Sequence, residues 1–216
     1  SATLGSEQLA GGLLAGAIGL LLVIIYSTFQ YRGLAIVTVG SLAVAAILVY
    51  LVITILSWRQ GYRLSLAGVA GLIVAIGITA DSFIVYFERV RDELRDGRSV
   101  AAAVEQGWKR AFRTIIVSGS VSLLAAVVLY LLTVGNVRGF AFTLGLTTLI
   151  DLGVAMIFTH PILQLLARVN FFSSGHPWSG FDAKALGATG YVGRGQFRTA
   201  KSVPATKAAQ ASKEAA

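Results

Sequence analysis

The hydrophobic positions of this chain gather in five long blocks rather than in amphipathic stripes. Leu9 to Tyr26, Leu34 to Leu56, Leu64 to Phe87, Thr114 to Leu132 and Phe140 to about Phe158 are almost continuously apolar. A bilayer core of about 30 Å takes roughly 20 apolar residues as a helix. Inside lipid a lone spanning segment must satisfy its own backbone, which a helix does. The pattern predicts an all-α, polytopic membrane helix bundle with five transmembrane helices.

Polar residues punctuate the blocks. "STFQYRG", "SWRQGYR" and "TVGNVRG" are short connections, whereas Glu88 to Arg113 is long, charged and helix-prone. The connector at 88–113 is expected to be two short helices near the membrane surface, broken at Gly97. A solvated charged loop is the alternative. Ser99 suits the N-cap of the second helix, because its hydroxyl accepts from a free backbone N–H. Arg89 and Glu93 are spaced to pair, and Trp108 reads as an interfacial anchor. The expected organisation is the end of an extracytoplasmic region at 1–8, the bundle at 9–168 and a basic cytoplasmic tail at 169–216. Phe171, Phe172, Trp178 and Phe181 are expected at the interface, with disorder beyond Lys184.

Composition agrees with a membrane protein. Only 13% of the 216 residues are charged and 56% are hydrophobic, where a soluble domain is roughly a quarter charged. The chain has no cysteine, which excludes disulfide scaffolds, cysteine zinc sites and thiol catalysis. Two histidines, His160 and His176, are too few for a His-rich metal site, and no metal or cofactor is expected. The net charge of +8 points to a membrane surface rather than nucleic acid, because the basic residues lie between and after the apolar blocks.

Those basic residues also orient the chain. Arg59, Arg63 and Arg138 fall on one side. Arg32, Arg89, Arg91, Arg95, Arg98, Lys109, Arg110, Arg113 and the tail fall on the other. The positive-inside rule makes the second side cytoplasmic. The first block then enters from outside, which leads to the expectation of an upstream helix and outside domain.

Small residues mark where helices meet, since lipid tails give no hydrophobic drive for association. Gly12 and Gly16, Gly71 and Ala75, and Ser118 and Ser122 are each four apart. Gly77 joins this set and leaves space one turn before Asp81.

Asp81 and Asp151 interrupt the apolar blocks. A charged Asp at a helix centre costs about 2.5–3.5 kcal/mol even on insertion scales, and such residues usually serve proton or ion paths. Asp81 lies roughly 9 Å from the inner end of its block at 1.5 Å per residue. It is the primary proton-relay candidate; the bland reading is an acid that reaches water or bonds a neighbouring helix. Asp151, with Thr147 and Thr148 one turn before it, is a secondary relay candidate or a hydrogen-bonded structural acid.

The stretch "GITADSFIVYFERVRDELRDG" carries more than a charge. Gly77, Asp81, Phe87, Glu88, Arg89, Arg91 and Glu93 match a motif of the RND-related SecD/SecF family of bacterial Sec protein-export subunits. "GNVRGFAFTL", with Arg138, Gly139 and Phe140, matches a second, and "LSLAGVAGL" and "GWKRAFRTI" add weaker ones. From Leu9 to about Leu166 the chain resembles the SecD side of that family. The resemblance implies half of an RND-like membrane domain in the bacterial cell membrane. It implies a non-enzymatic subunit driven by the proton-motive force, with protons as coupling ion. A SecF-type subunit, a SecYEG-type channel, the unfolded polypeptide in transit and the lipid bilayer are the implied partners.

The sequence departs from the family in two places. A family Asn is Phe83 here, and polar fifth-helix positions are reduced to serines, Ser118 and Ser122 among them. Two other functions compete with this one. An intramembrane aspartyl protease would pair Asp81 with Asp151, but neither flanking sequence fits one. Half of an RND-type small-molecule or lipid transporter is the alternative.

Overall fold

The computed structural model describes residues 2–174, 176 and 178–182. Four segments among them are long and apolar enough to cross a membrane: Leu9–Gln60, Leu66–Arg95, Val100–Leu132 and Asn136–Leu166. The first is two helices. α1 (Ala2–Tyr31) and α2 (Ala35–Gln60) are joined by a 3-10 turn, Arg32–Leu34. Arg32 takes a positive φ of 49°, the left-handed conformation that reverses a chain tightly. The reversal is visible in the partners. Gly12 of α1 lies beside Val69, and Tyr31 bonds Glu88 at the other end of the same helix. With α3 (Leu66–Arg95), α4 (Val100–Leu132) and α5 (Asn136–Val154), five helices cross the bundle, as the block pattern predicts.

α5 does not stop at Val154. It passes through a π-helical turn, Ala155–Thr159, into α6 (His160–Leu166), and a short α7 (Asn170–Ser173) follows. The core is uneven. Large buried side chains, including Tyr31, Tyr86, Phe87, Leu94 and Phe181, crowd the end that carries the 88–113 connector. Toward the opposite end the contacts are made by small residues. A Cβ on Gly12 would sit 3.3 Å from Val69, one on Gly16 3.4 Å from Ile73, and one on Gly71 3.1 Å from the Phe140 carbonyl. Ala75 is buried as well. Outward-facing residues such as Leu13, Leu22, Ile36, Leu124 and Leu131 are apolar and exposed, as a lipid-facing surface requires.

The connector differs from its expected form. Instead of two helices on the surface, α3 runs on to Arg95 and α4 begins at Val100, so the two spanning helices themselves form a projecting hairpin. Gly97, with φ +82°, makes the turn. Ser99 caps α4 as expected, its Oγ accepting from Ala102 N at 3.4 Å. The hairpin is continuous because Val90, Leu94, Val100 and Val104 keep burying one face along it. Gly107 permits the closest approach: a Cβ there would lie 2.8 Å from the Val90 backbone nitrogen.

Glu93 does not pair with Arg89. It is fully buried and clamped by Arg98 Nε and Arg110 Nη1, each at 2.7 Å, while Arg89 reaches Asp92 at 3.6 Å. Trp108 is half-buried and packs inward, its ring stacked on His160 with centroids 4.4 Å apart. Phe172 and Phe181 are buried rather than interfacial, whereas Phe171 and Trp178 stay exposed. Phe181 is seated under the α1–α2 turn. There Gly33 N donates to the Trp178 carbonyl at 2.9 Å, and a Cβ on Gly180 would press on Leu34 at 3.2 Å. The region beyond Lys184, expected to be disordered, lies outside the described residues.

Candidate functional site

Asp81 stands on the flank of the bundle. It is exposed, in line with Ala70, Val74 and Gly77 along one face of α3. Gly77 contributes no packing within the chain, in contrast to Gly71: a Cβ there would meet nothing within 4 Å. The reason is rotational. Gly77 and Asp81 share the outward stripe, whereas Gly71 and Ala75 face α5 and the bundle interior. The Val90–Gly107 contact sets the antiparallel register of α3 and α4. Three turns up from it, Ser118 is level with Thr79. Ser118 and Ser120 are exposed and Ser122 is half-buried, so the expected packing face of α4 is carried instead by Gly119, whose Cβ would lie 3.0 Å from Leu152. Phe83, the residue in place of the family Asn, turns into the core and is buried. Ser82 bonds its own backbone at Ile78 O, 3.2 Å away.

Asp151 occupies the opposite environment. It is 9% exposed, on α5 facing α3. Its partner is not Thr147 or Thr148, whose hydroxyls bond the carbonyls of Thr143 at 2.9 Å and Leu144 at 2.8 Å. The partner is Thr79 of α3, whose Oγ1 donates to Asp151 Oδ2. The same hydroxyl is also 2.8 Å from the Ala75 carbonyl. A hydroxyl has one proton and two lone pairs. Given to Ala75, its proton leaves the Thr79 oxygen to accept from a protonated Asp151; given to Asp151, it satisfies the carboxylate. The pair therefore accommodates both protonation states. An apolar cavity of about 360 Å³ between α2, α3 and α5 reaches the acid, lined by Leu42, Ala45, Ala75, Ile76 and Thr147 among others.

The two acids do not share a site. Thr79 faces Asp151, and Asp81 comes two residues later, rotated about 200° around a helix of 3.6 residues per turn. A carboxylate dyad of the protease kind is not assembled.

Most of the sequence-motif residues turn out to hold the helices together. Phe87 is fully buried with its ring 5.3 Å from that of Tyr31. Glu88 Oε1 accepts from Tyr31 Oη at 3.0 Å and from Arg91 Nη1 at 3.2 Å. Arg91 also caps the Gln30 carbonyl and lies 4.5 Å over the Tyr31 ring. Arg138 rests over Tyr130 at 4.4 Å. Gly139 lies directly against the Ser65 hydroxyl, which a side chain there would displace, and the Phe140 carbonyl abuts Gly71. The clasp of Arg91 on α1 was not read from the sequence; a basic residue three after Glu88 was the available signal.

A multi-pass helical membrane protein with one ionisable group on its flank and another in its interior is what this arrangement defines. The family described as "Protein export membrane protein SecD/SecF, C-terminal" matches residues 1–169, and the chain belongs to it. It is 61% identical over 188 residues to protein translocase subunit SecD of Streptomyces coelicolor, covering 87% of this chain and 33% of that protein. It is 51% identical over 168 residues to the SecD subunit of Mycobacterium tuberculosis, covering 78% and 29%. The chain thus spans about a third of the length of these relatives. Among solved structures it is similar to SecDF, a translocon-associated membrane protein from Thermus, with TM-score 0.69 and 31% identity over 76% of this chain and 22% of that one. A super-membrane-facing form of SecDF gives TM-score 0.68 at 30% identity.

Proposed function

We propose that this chain is the membrane-spanning part of a SecD-type subunit that assists Sec-dependent protein export, driven by the proton-motive force. It works as one half of an RND-like membrane domain whose other half is a SecF-type subunit. The observation that carries the reading is Asp81 exposed on a flank beside Gly77. Facing lipid, a central carboxylate costs about 2.5–3.5 kcal/mol. Facing a second helical bundle, the same residue lies in a seam where water and polar partners reach it. Gly77, with no side chain of its own and open space beside it, lets a neighbour come close to Asp81. Family membership and the likeness to SecDF support this assignment, and a SecYEG-type channel and the unfolded chain in transit follow from it as partners.

In this reading the connector end, rich in arginine, is cytoplasmic. Asp81 cycles between neutral and ionised states, and each change alters how α3 seats against the partner half. A unit charge moved through 100 mV gains about 2.3 kcal/mol, enough to bias such a two-state contact. Export measured with and without a proton gradient in an Asp81→Asn strain tests it. Loss of the gradient-dependent component is expected; normal export would sink the proposal. The buried counterpart, Asp151, is a secondary relay in the same scheme, paired with Thr79 rather than exposed to the partner.

A further inference from the structure

At the connector end a second group of ionisable side chains meets inside the bundle, on the side of α3 away from Asp81. Tyr86 of α3 is 1% exposed, and its hydroxyl lies 2.8 Å from His160 Nδ1. The other ring nitrogen, Nε2, is 3.9 Å from Glu105 Oε2 of α4. Gln164, one turn beyond His160, donates to that same carboxylate oxygen at 2.9 Å. Trp108 covers the imidazole, with rings 10° from parallel and centroids 4.4 Å apart. Glu105 is 45% exposed at its side chain, so the chain of groups runs from the buried phenol to the solvent at the hairpin.

We propose that Tyr86, His160 and Glu105 form a second proton-exchange site, separate from Asp81, in which protonating His160 reverses its hydrogen bond to α3 and adds a charge-assisted contact to α4. The inference rests on the proton-driven reading above and adds a site to it. With Nε2–H directed at the Glu105 carboxylate, the neutral imidazole accepts the Tyr86 proton at Nδ1. The charged imidazole has donors at both nitrogens. The Tyr86 oxygen then accepts from Nδ1–H, its own proton loses the Nδ1 lone pair, and the 3.9 Å approach to Glu105 becomes a charge-assisted contact. The proton is taken from and returned to solvent through Glu105, so no other reactant is needed.

Among the described residues, the charged and titratable groups facing His160 are Tyr86 from α3, and Glu105 with its partner Lys109, 4.0 Å away, from α4. α2 contributes Ser41, bonded to the neighbouring Thr159 at 2.9 Å. The position matters for the rest of the bundle. His160 directly follows the π-helical turn that ends α5, and π-turns are local insertions that concentrate at functional sites. A change of bonding at His160 therefore acts on the same helix that carries Asp151, and it does so against α3, which carries Asp81.

Trp108 supplies a direct readout, because an imidazolium stacked on an indole quenches its emission. The full chain, reconstituted in lipid nanodiscs with Trp58→Phe and Trp178→Phe, is titrated by fluorescence between about pH 5 and pH 8, the range in which a histidine changes charge. Emission is expected to fall as pH drops, and His160→Gln is expected to abolish the change. Glu105→Gln removes the group that favours the cation and moves the midpoint to lower pH. Tyr86→Phe removes the buried phenol proton, which Nδ1 accepts only when neutral, and moves it higher.

A flat titration overturns the proposal, and so does an unchanged one in His160→Gln. Titration with no midpoint shift in either partner variant overturns the chain of exchange. Asp81→Asn serves as the separating control. It leaves this titration intact even if the export reading itself fails.

Discussion

The two faces of α3 treat an aspartate in opposite ways. On the inner face Thr79 holds Asp151 in a seam whose members are each supplied with a hydrogen-bond partner. On the outer face Asp81 has an empty place beside it where Gly77 lacks a side chain. The inner acid is complete within this chain, and the outer one is complete only with something alongside. A buried polar group can be tolerated for purely architectural reasons once it is paired. An unpaired one at the flank of a membrane bundle calls for an occupant. Sequence position ranks Asp81 ahead of Asp151 by its nearness to the end of its block; their surroundings separate the two by pairing.

That contrast can be broken by substitution. The largest effect belongs to Asp81→Asn, which is expected to remove gradient-driven export while leaving the unfolding midpoint of the reconstituted chain unchanged. A comparable loss of stability would show that Asp81 is structural.

Next comes a pair of glycines on one helix. Gly71→Val forces a side chain against Thr143 and the Phe140 carbonyl, and should destabilise by about 1–3 kcal/mol through overpacking. Gly77→Val should leave the isolated chain as stable as before yet weaken its association with the partner half. Equal effects in denaturant unfolding would erase the distinction between the faces.

A third test moves to the connector. Glu93→Gln weakens the clamp on Arg98 and Arg110 and should cost about 1.5–3 kcal/mol, the range for hydrogen bonds to charged groups. Faster amide exchange confined to residues 93–110 would mark it. The smallest effect is expected of Asp151→Asn. Its amide still bonds Thr79, so stability should move by less than about 1 kcal/mol. A collapse in stability would mean that the acid proton itself holds the seam.

The spans were legible because lipid demands a long apolar run for each crossing, and five such runs stand apart in the sequence. The Ser99 cap was legible for a similar reason, being a local rule. Spacing revealed that Gly12, Gly16, Gly71 and Ala75 belong to contact faces. It could not reveal that Gly77, equally small, faces away, since only the tertiary arrangement fixes the rotation of α3. The connector misled because charge density resembles a surface segment. Its buried positions, Val90, Leu94, Val100 and Val104, continue the apolar face of the spans, and that periodicity decided the outcome. The i,i+4 rule assigns Glu93 to Arg89, yet its direction into the α3–α4 seam gives it to Arg98, just across the turn, and to Arg110 of α4. Phe181 carried no local signal at all. An aromatic in a Gly- and Ser-rich stretch looks the same whether it lies on a membrane or under a turn.

The seat of Phe181 also dictates an order of events during synthesis. Tyr31 and Leu34 close the first hairpin, but the residue that fills the space beneath them is made some 150 positions later. Contacts of such long sequence separation form late. The first two helices can enter the membrane as soon as they emerge from the ribosome, but their turn stays unfilled until nearly the whole bundle has been translated. A chain halted before Phe181 would have every crossing in place and still lack the plug that sets the first hairpin.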